Sequence, residues 1–89
     1  MKLNEIKILF FGSNNCEKCN LLKELLDDGK LSYKFININD EKVQDFCDIH
    51  GIYKIPRVKV IIKNKIILDE IGLFDIKIIK DLINEHMSK

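Results

Sequence analysis

The stretch "IKILFFGSNNCEKCNLLKELLDDG", residues 6–29, carries the decision about the fold. Its first six residues, Ile6 to Phe11, are almost continuously apolar and stop at Gly12, the pattern of a strand covered on both faces. Cys16 and Cys19 then stand three positions apart, after a short polar turn. Residues 17–28 place Leu21, Leu22, Leu25 and Leu26 on one helical stripe, and Gly29 supplies a C-terminal stop. Asp27 and Asp28 sit at the end of that helix where the backbone dipole disfavours them, at a small cost. A buried strand, a turn and a helix that opens on paired cysteines thus fill the first third of the chain.

Outward from this unit the same reading continues. "YKFINI" (33–38) alternates apolar and polar residues and predicts a strand with one face more exposed. Asp40 and Glu41 suit a helix N-terminus, and Val43, Phe46, Cys47 and His50 share a helical stripe before Gly51. "RVKVIIK" (57–63) and "KIILDEI" (65–71) flank Asn64, which tolerates positive φ, and predict an antiparallel hairpin. Gly72 breaks the second of these strands. Asp75 caps a last helix with Ile76, Ile79, Leu82 and Ile83 on one side.

The order is β-α-β-α-β-β-α in a single domain, residues 1–89, with no repeats, linkers or low-complexity tracts. If the second and third strands flank the first, the two crossovers run in opposite directions. Right-handed crossovers then put their helices on opposite faces of the sheet.

Bulk composition narrows the function. The 15 Lys and Arg nearly cancel the 14 Asp and Glu, leaving a net charge of +1. No strong field points to nucleic acid or an anionic membrane. No apolar run approaches the ~20 residues needed to cross a bilayer. "MKLNEIKILFFGSNN" is interrupted by Lys7 and lacks a small-residue cleavage site, so it reads as a first strand rather than a signal peptide. With 3 cysteines, the chain is not a secreted disulfide scaffold, which carries an even and larger set. The expectation is a cytoplasmic monomer.

Three chemistries compete for the cysteines. Cys16-x-x-Cys19 with Cys47-x-x-His50 has the residue types of a tetrahedral zinc site. Against it, Cys47 shares a core-facing stripe with Val43 and Phe46, on the far side of the sheet from Cys16. Cys47 therefore reads as a small buried hydrophobe, His50 as a helix-end residue, and the expected metal set is none. A purely structural disulfide would close so small a loop that it gains little chain entropy. A redox dithiol uses the local features best. Cys16 would meet the unpaired N–H groups that open the helix, which favour thiolate over thiol, and Cys19 one turn on reaches the same sulfur. Lys18 favours that charge and Glu17 opposes it.

Together, "CEKC" after a buried strand and "HGIYKIPRVKVIIKNKIILDEIG" (50–72) resemble the thioredoxin and glutaredoxin superfamily. The likeness lies in the paired cysteines, Ile55-Pro56 before a strand, a Lys-Asn hairpin turn and a strand ending in Gly. It implies an α/β, thioredoxin-like fold whose four-stranded mixed sheet carries helices on both faces. It also implies a cis peptide bond at Ile55–Pro56, facing the dithiol, although spacing alone would make that bond trans. The Ile55 backbone would then be open to pair with an extended substrate segment.

Departures from the pattern are specific. Asn15 stands where thioredoxins carry Trp, Glu17-Lys18 where they carry Gly-Pro, and "ILFF" offers no buried acid. Glutaredoxins tend to have a Lys where Ser13 or Asn14 stands. Of their glutathione-gripping Gly-Gly and Asp, only Gly72-Leu73 and Asp75 correspond.

What the resemblance implies is a thiol–disulfide oxidoreductase with Cys16 and Cys19 catalytic, and Ile55, Pro56, Gly72 and Leu73 binding substrate. Its partners would be disulfide-containing proteins and an electron donor, a reductase or glutathione, with no cofactor otherwise. The alternatives are a glutathione-dependent glutaredoxin, for which glutathione is co-substrate, and a non-enzymatic metal-binding or scaffold module.

Overall fold

A computed structural model describes residues 5–87 of the chain. The expected single-domain span, 1–89, includes terminal residues outside the described ones. The elements are β1 (Ile6–Gly12), α1 (Glu17–Asp28), β2 (Lys34–Asn37), α2 (Glu41–Ile49), β3 (Arg57–Ile62), β4 (Lys65–Ile71) and α3 (Lys77–Met87). The expected order holds, and β2 is shorter by one residue at each end than the alternation predicts.

One mixed sheet runs β2-β1-β3-β4. β1 pairs with β2 in parallel and with β3 antiparallel, and β4 closes an antiparallel hairpin with β3. The parallel β1-α1-β2 unit is the one to which the handedness rule applies. β3 is antiparallel, so crossover handedness does not dictate where α2 lies.

Burial supplies the reason instead. Central strand β1 is covered on both faces: Ile8 and Phe10 enter one core cluster, Phe11 another. The first cluster also holds Cys19, Leu22 and Leu26 of α1, Val58, Val60 and Ile62 of β3, and Ile79 of α3. The second gathers Cys47 of α2 and Ile52, with Leu9, Ile36, Ile38 and Val43 packed against it. Helices α1 and α3 thus share one face, and α2 covers the other.

Two expectations about α1 change in detail. Leu21 and Leu25 are 46% and 38% exposed, so the buried stripe is Cys19, Leu22 and Leu26. Leu21 and Leu25 each precede a buried leucine by one residue, a rotation of about 100° on the helix. Gly29 does end the helix, but at φ −76°, which any residue adopts; the left-handed residue is Lys30 at φ 58°. Gly29 lies close to the movable ends of two side chains. A Cβ there would lie 2.8 Å from Ile76 Cδ1 and 3.2 Å from Lys80 Cε. Phe46 and His50, placed on the α2 stripe by spacing, are exposed, and Phe46 stacks on Phe11 from the side.

Asp40 and Asp75 cap as expected, accepting the backbone N–H of Lys42 and of Lys77, each at 3.0 Å. The β3–β4 turn uses both Lys63 and Asn64 at positive φ, 52° and 67°. That is the two-residue turn whose twist matches the strands. The Tyr33 hydroxyl donates to Asp27 Oδ1 at 2.9 Å. Burial first, then this bond and the carboxylate charge, push the phenol up to about 12.

No helix among the described residues is long and apolar enough to cross a membrane.

Candidate active site

β1 delivers the site. The strand ends at Gly12, the chain turns through 13–15, and Cys16 is the N-cap of α1 with extended φ −101° and ψ 113°. At a helix start the first N–H groups lack backbone partners, and an N-cap side chain normally takes one. Here a sulfur does so: the Cys19 N–H donates to Cys16 Sγ at 3.1 Å.

Cys16 and Cys19 form a disulfide, with Cα atoms 5.1 Å apart. The two ends are unlike. Cys19 is 1% exposed among the leucines of the first core cluster, whereas Cys16 is half-buried and reaches solvent. Gly12 lies under the bridge: a Cβ there would stand 3.0 Å from Cys19 Sγ, 3.0 Å from Phe10 Cε1 and 3.1 Å from Phe35 Cε2. A side chain there would press on the disulfide and on both rings, so glycine lets the bridge settle closely onto the end of β1.

The sheet register brings the other candidate residues to the same end. Phe11 pairs with Arg57, so Ile55 and Pro56 come alongside the turn that leads to Cys16. The Ile55–Pro56 peptide is cis, Pro56 is buried, and Ile55 packs against the same core cluster as Cys16. Among the described residues, neither the N–H nor the C=O of Ile55 makes a backbone hydrogen bond. Arg57 also pairs with Ile71, and the Gly72 N–H donates to the Pro56 carbonyl at 2.7 Å. Gly72, at φ +89°, turns the chain toward Leu73, which is exposed. All six candidate residues therefore gather at one end of the sheet.

The zinc arrangement does not form. Cys47 lies buried in the second cluster on the α2 face, across the sheet from the disulfide. Among the described residues no group of three or more His, Cys, Asp and Glu side chains converges.

Two positions escape the motif reading. Gly12 looks like a strand end, yet it makes room for Cys19. Arg57 looks like a hairpin residue, yet its guanidinium grips Asp69 of β4 through two bonds, Nε to Oδ1 at 2.8 Å and Nη2 to Oδ2 at 2.9 Å. Its Nη1 donates to the Gly51 carbonyl at 3.1 Å. That hydrogen bonding raises the guanidinium above its ordinary value and holds the Asp69 carboxyl below the usual carboxylate range.

The architecture matches several solved structures. A point mutant of thioredoxin from Halobacterium salinarum NRC-1 superposes with a TM-score of 0.74 at 18% identity, covering 91% of this chain and 74% of that one. The chain has a thioredoxin-like fold. Other examples of that fold agree. Thioredoxin 1 from Thermosipho africanus TCF52B gives a TM-score of 0.68 at 15% identity, over 92% of this chain and 94% of its own. The oxidised thioredoxin of Plasmodium falciparum gives 0.66 at 17% identity, over 92% and 81%. At such identities the likeness is one of architecture. No protein-family model matches the chain. No curated protein sequence matches it either. The thioredoxin-like fold is nonetheless the one that the paired cysteines and Ile55-Pro56 imply.

Proposed function

We propose that the protein is a thiol–disulfide oxidoreductase that exchanges electrons between its Cys16–Cys19 dithiol and disulfides in other proteins. The observation that carries this is the asymmetric disulfide: one sulfur at the surface on a helix N-terminus, the other sealed beneath it. The surface sulfur is where a partner can be attacked, and the buried one can be reached only from Cys16.

In the reduced protein the Cys16 thiolate attacks one sulfur of a substrate disulfide. A Cys16–substrate bond forms, the substrate S–S bond breaks, and the departing sulfur takes the electron pair and then a proton. The Cys19 thiol gives up its proton and attacks Cys16 Sγ. The internal disulfide forms, the mixed disulfide breaks, and the second substrate thiol leaves. Two electrons pass from the Cys16–Cys19 pair to the substrate, and the two product thiols take the Cys19 proton and one from solvent. The electron donor that restores the dithiol is a reductase or glutathione.

The Cys19 N–H suits the first step, because a donor that bonds neutral sulfur bonds anionic sulfur more strongly. The free backbone groups of Ile55, beside buried Pro56, suit strand-like pairing with an extended substrate segment, with Gly72 and Leu73 as the opposite rim.

Insulin reduction with a dithiol as electron source tests the reading. Wild-type protein is expected to accelerate it. The Cys16→Ser variant loses turnover altogether, and Cys19→Ser accumulates mixed disulfides with substrate. Full activity in Cys16→Ser would end the proposal.

A further inference from the structure

Arg57 follows Pro56 directly, and its side chain holds three separate pieces of chain together. Nε and Nη2 donate to the two carboxylate oxygens of Asp69 in β4, and Nη1 donates to the carbonyl of Gly51, just past α2. The side chain is only 16% exposed, so this fork is shielded on most sides. Asp69 also has the Lys59 ammonium 4.0 Å away. The segment 51–56 has few other polar ties. The N–H groups of Gly51 and Ile52 donate to the Asp48 and Cys47 carbonyls at 3.4 and 2.8 Å. The Tyr53 hydroxyl donates to the Asp48 carbonyl at 3.3 Å, and the Pro56 carbonyl accepts from Gly72. The first three of these reach back only to α2, so among the polar contacts of the described residues the Arg57 side chain and the Gly72 N–H are what tie the stretch presenting Ile55 to β4 and its end.

We infer that Arg57 is a positioning residue: it clamps the 51–56 segment to β4 and so keeps the Ile55 backbone aligned for an extended protein substrate beside Cys16. This rests on the disulfide-exchange reading above, and it deepens it by making long peptide substrates, rather than small disulfides, the ones that need Arg57. A planar guanidinium reaches a carboxylate and a carbonyl at once in fixed geometry. A lysine ammonium is a single point charge and does not span the same acceptors. Arg57 lies on the opposite face of the sheet from Cys19, so it acts on the chemistry only through the backbone it holds.

The test compares two oxidised substrates with the full chain as wild type, R57Q, R57K and D69N. One substrate is a disulfide-bearing peptide long enough to pair with the Ile55 backbone. The other is hydroxyethyl disulfide, which has no backbone to pair. In R57Q and R57K, kcat/KM for the peptide is expected to fall about tenfold, mostly through KM, while that for hydroxyethyl disulfide falls no more than about twofold. D69N keeps the bond to Gly51 and should fall in between. R57K retains the stem and the charge, so it carries the test if R57Q does not fold. Equal losses on both substrates, or no loss on the peptide, would overturn the positioning role. Wild-type protein that reduces neither substrate would instead overturn the oxidoreductase reading, a result visible before any variant is made.

Discussion

The amide N–H of Cys19 points at the sulfur of Cys16 across 3.1 Å, so the residue that would displace the mixed disulfide also caps the sulfur that makes it. An N-cap is usually an oxygen of Ser, Thr, Asp or Asn. With sulfur in that place, reduction leaves an atom at the helix start where backbone dipoles favour negative charge. Cys16 is also the half-buried member of the pair, whereas Cys19 and Cys47 are sealed in the two cores.

The reduced, folded protein should therefore be alkylated by iodoacetamide at Cys16 on the order of tenfold faster than at either other cysteine. Peptide mapping by mass spectrometry after timed quenching reads this directly. Equal labelling of Cys16 and Cys47 would contradict it.

Gly12→Ala should destabilise the oxidised protein by about 1–3 kcal/mol, the usual cost of overpacking a filled core. The added methyl meets Cys19 Sγ and the Phe10 and Phe35 rings, all packed within the first core cluster. Urea denaturation of both proteins measures the difference.

Tyr33 gives the fold an alkaline limit. Its folded phenol sits at about 12, above its unfolded value near 10. A raised folded value means that its share of stability is complete below pH ~10 and drains away as pH climbs toward about 12, where the unfolded chain ionises first. Tyr33→Phe should lose that component of the pH dependence and the last phenolate absorbance step. Thermal melts and ultraviolet titration from neutral to alkaline pH check both.

The hairpin turn can be improved. Lys63 holds a left-handed φ of 52°, a conformation that costs a residue with a Cβ. Replacing Lys63→Asn together with Asn64→Gly installs the pair that this turn type prefers and should stabilise by about 0.5–1 kcal/mol. An unchanged or lower melting temperature would show that the turn is not limiting.

Much of this molecule is legible from local spacing. The extent of α1 follows from the leucine stripe and Gly29, and the hairpin follows from Asn64 between two apolar runs. The candidate site follows from two short segments, Cys16–Cys19 and Ile55-Pro56, which are ambiguous singly and point to the site only through their combined resemblance to a known superfamily. Long-range register is different. In an unbroken hairpin closed at Lys63-Asn64, Asp69 would oppose Val58 and face the α1 side. The shift between Val60 and Ile61 leaves Ile67 extra in β4 and sets Asp69 opposite Lys59 instead. One bulged residue moves every later side chain to the other face. Nothing local in "KIILDEI" announces it, yet the Arg57–Asp69 clamp depends on it.

By itself the order of residues determined the elements and the place of Cys16 at the start of α1, because each is set by contacts within a turn or two of chain. The link between the dithiol and the distant Ile55-Pro56 came instead from the resemblance to a known superfamily. Only the tertiary structure decided that Gly12 lies against Cys19 and two aromatic rings, that Leu21 and Leu25 face outward, and that Arg57 ties Gly51 to Asp69. Those depend on which surfaces come within a few ångströms after folding, and close approach between distant segments leaves no periodic trace in the chain.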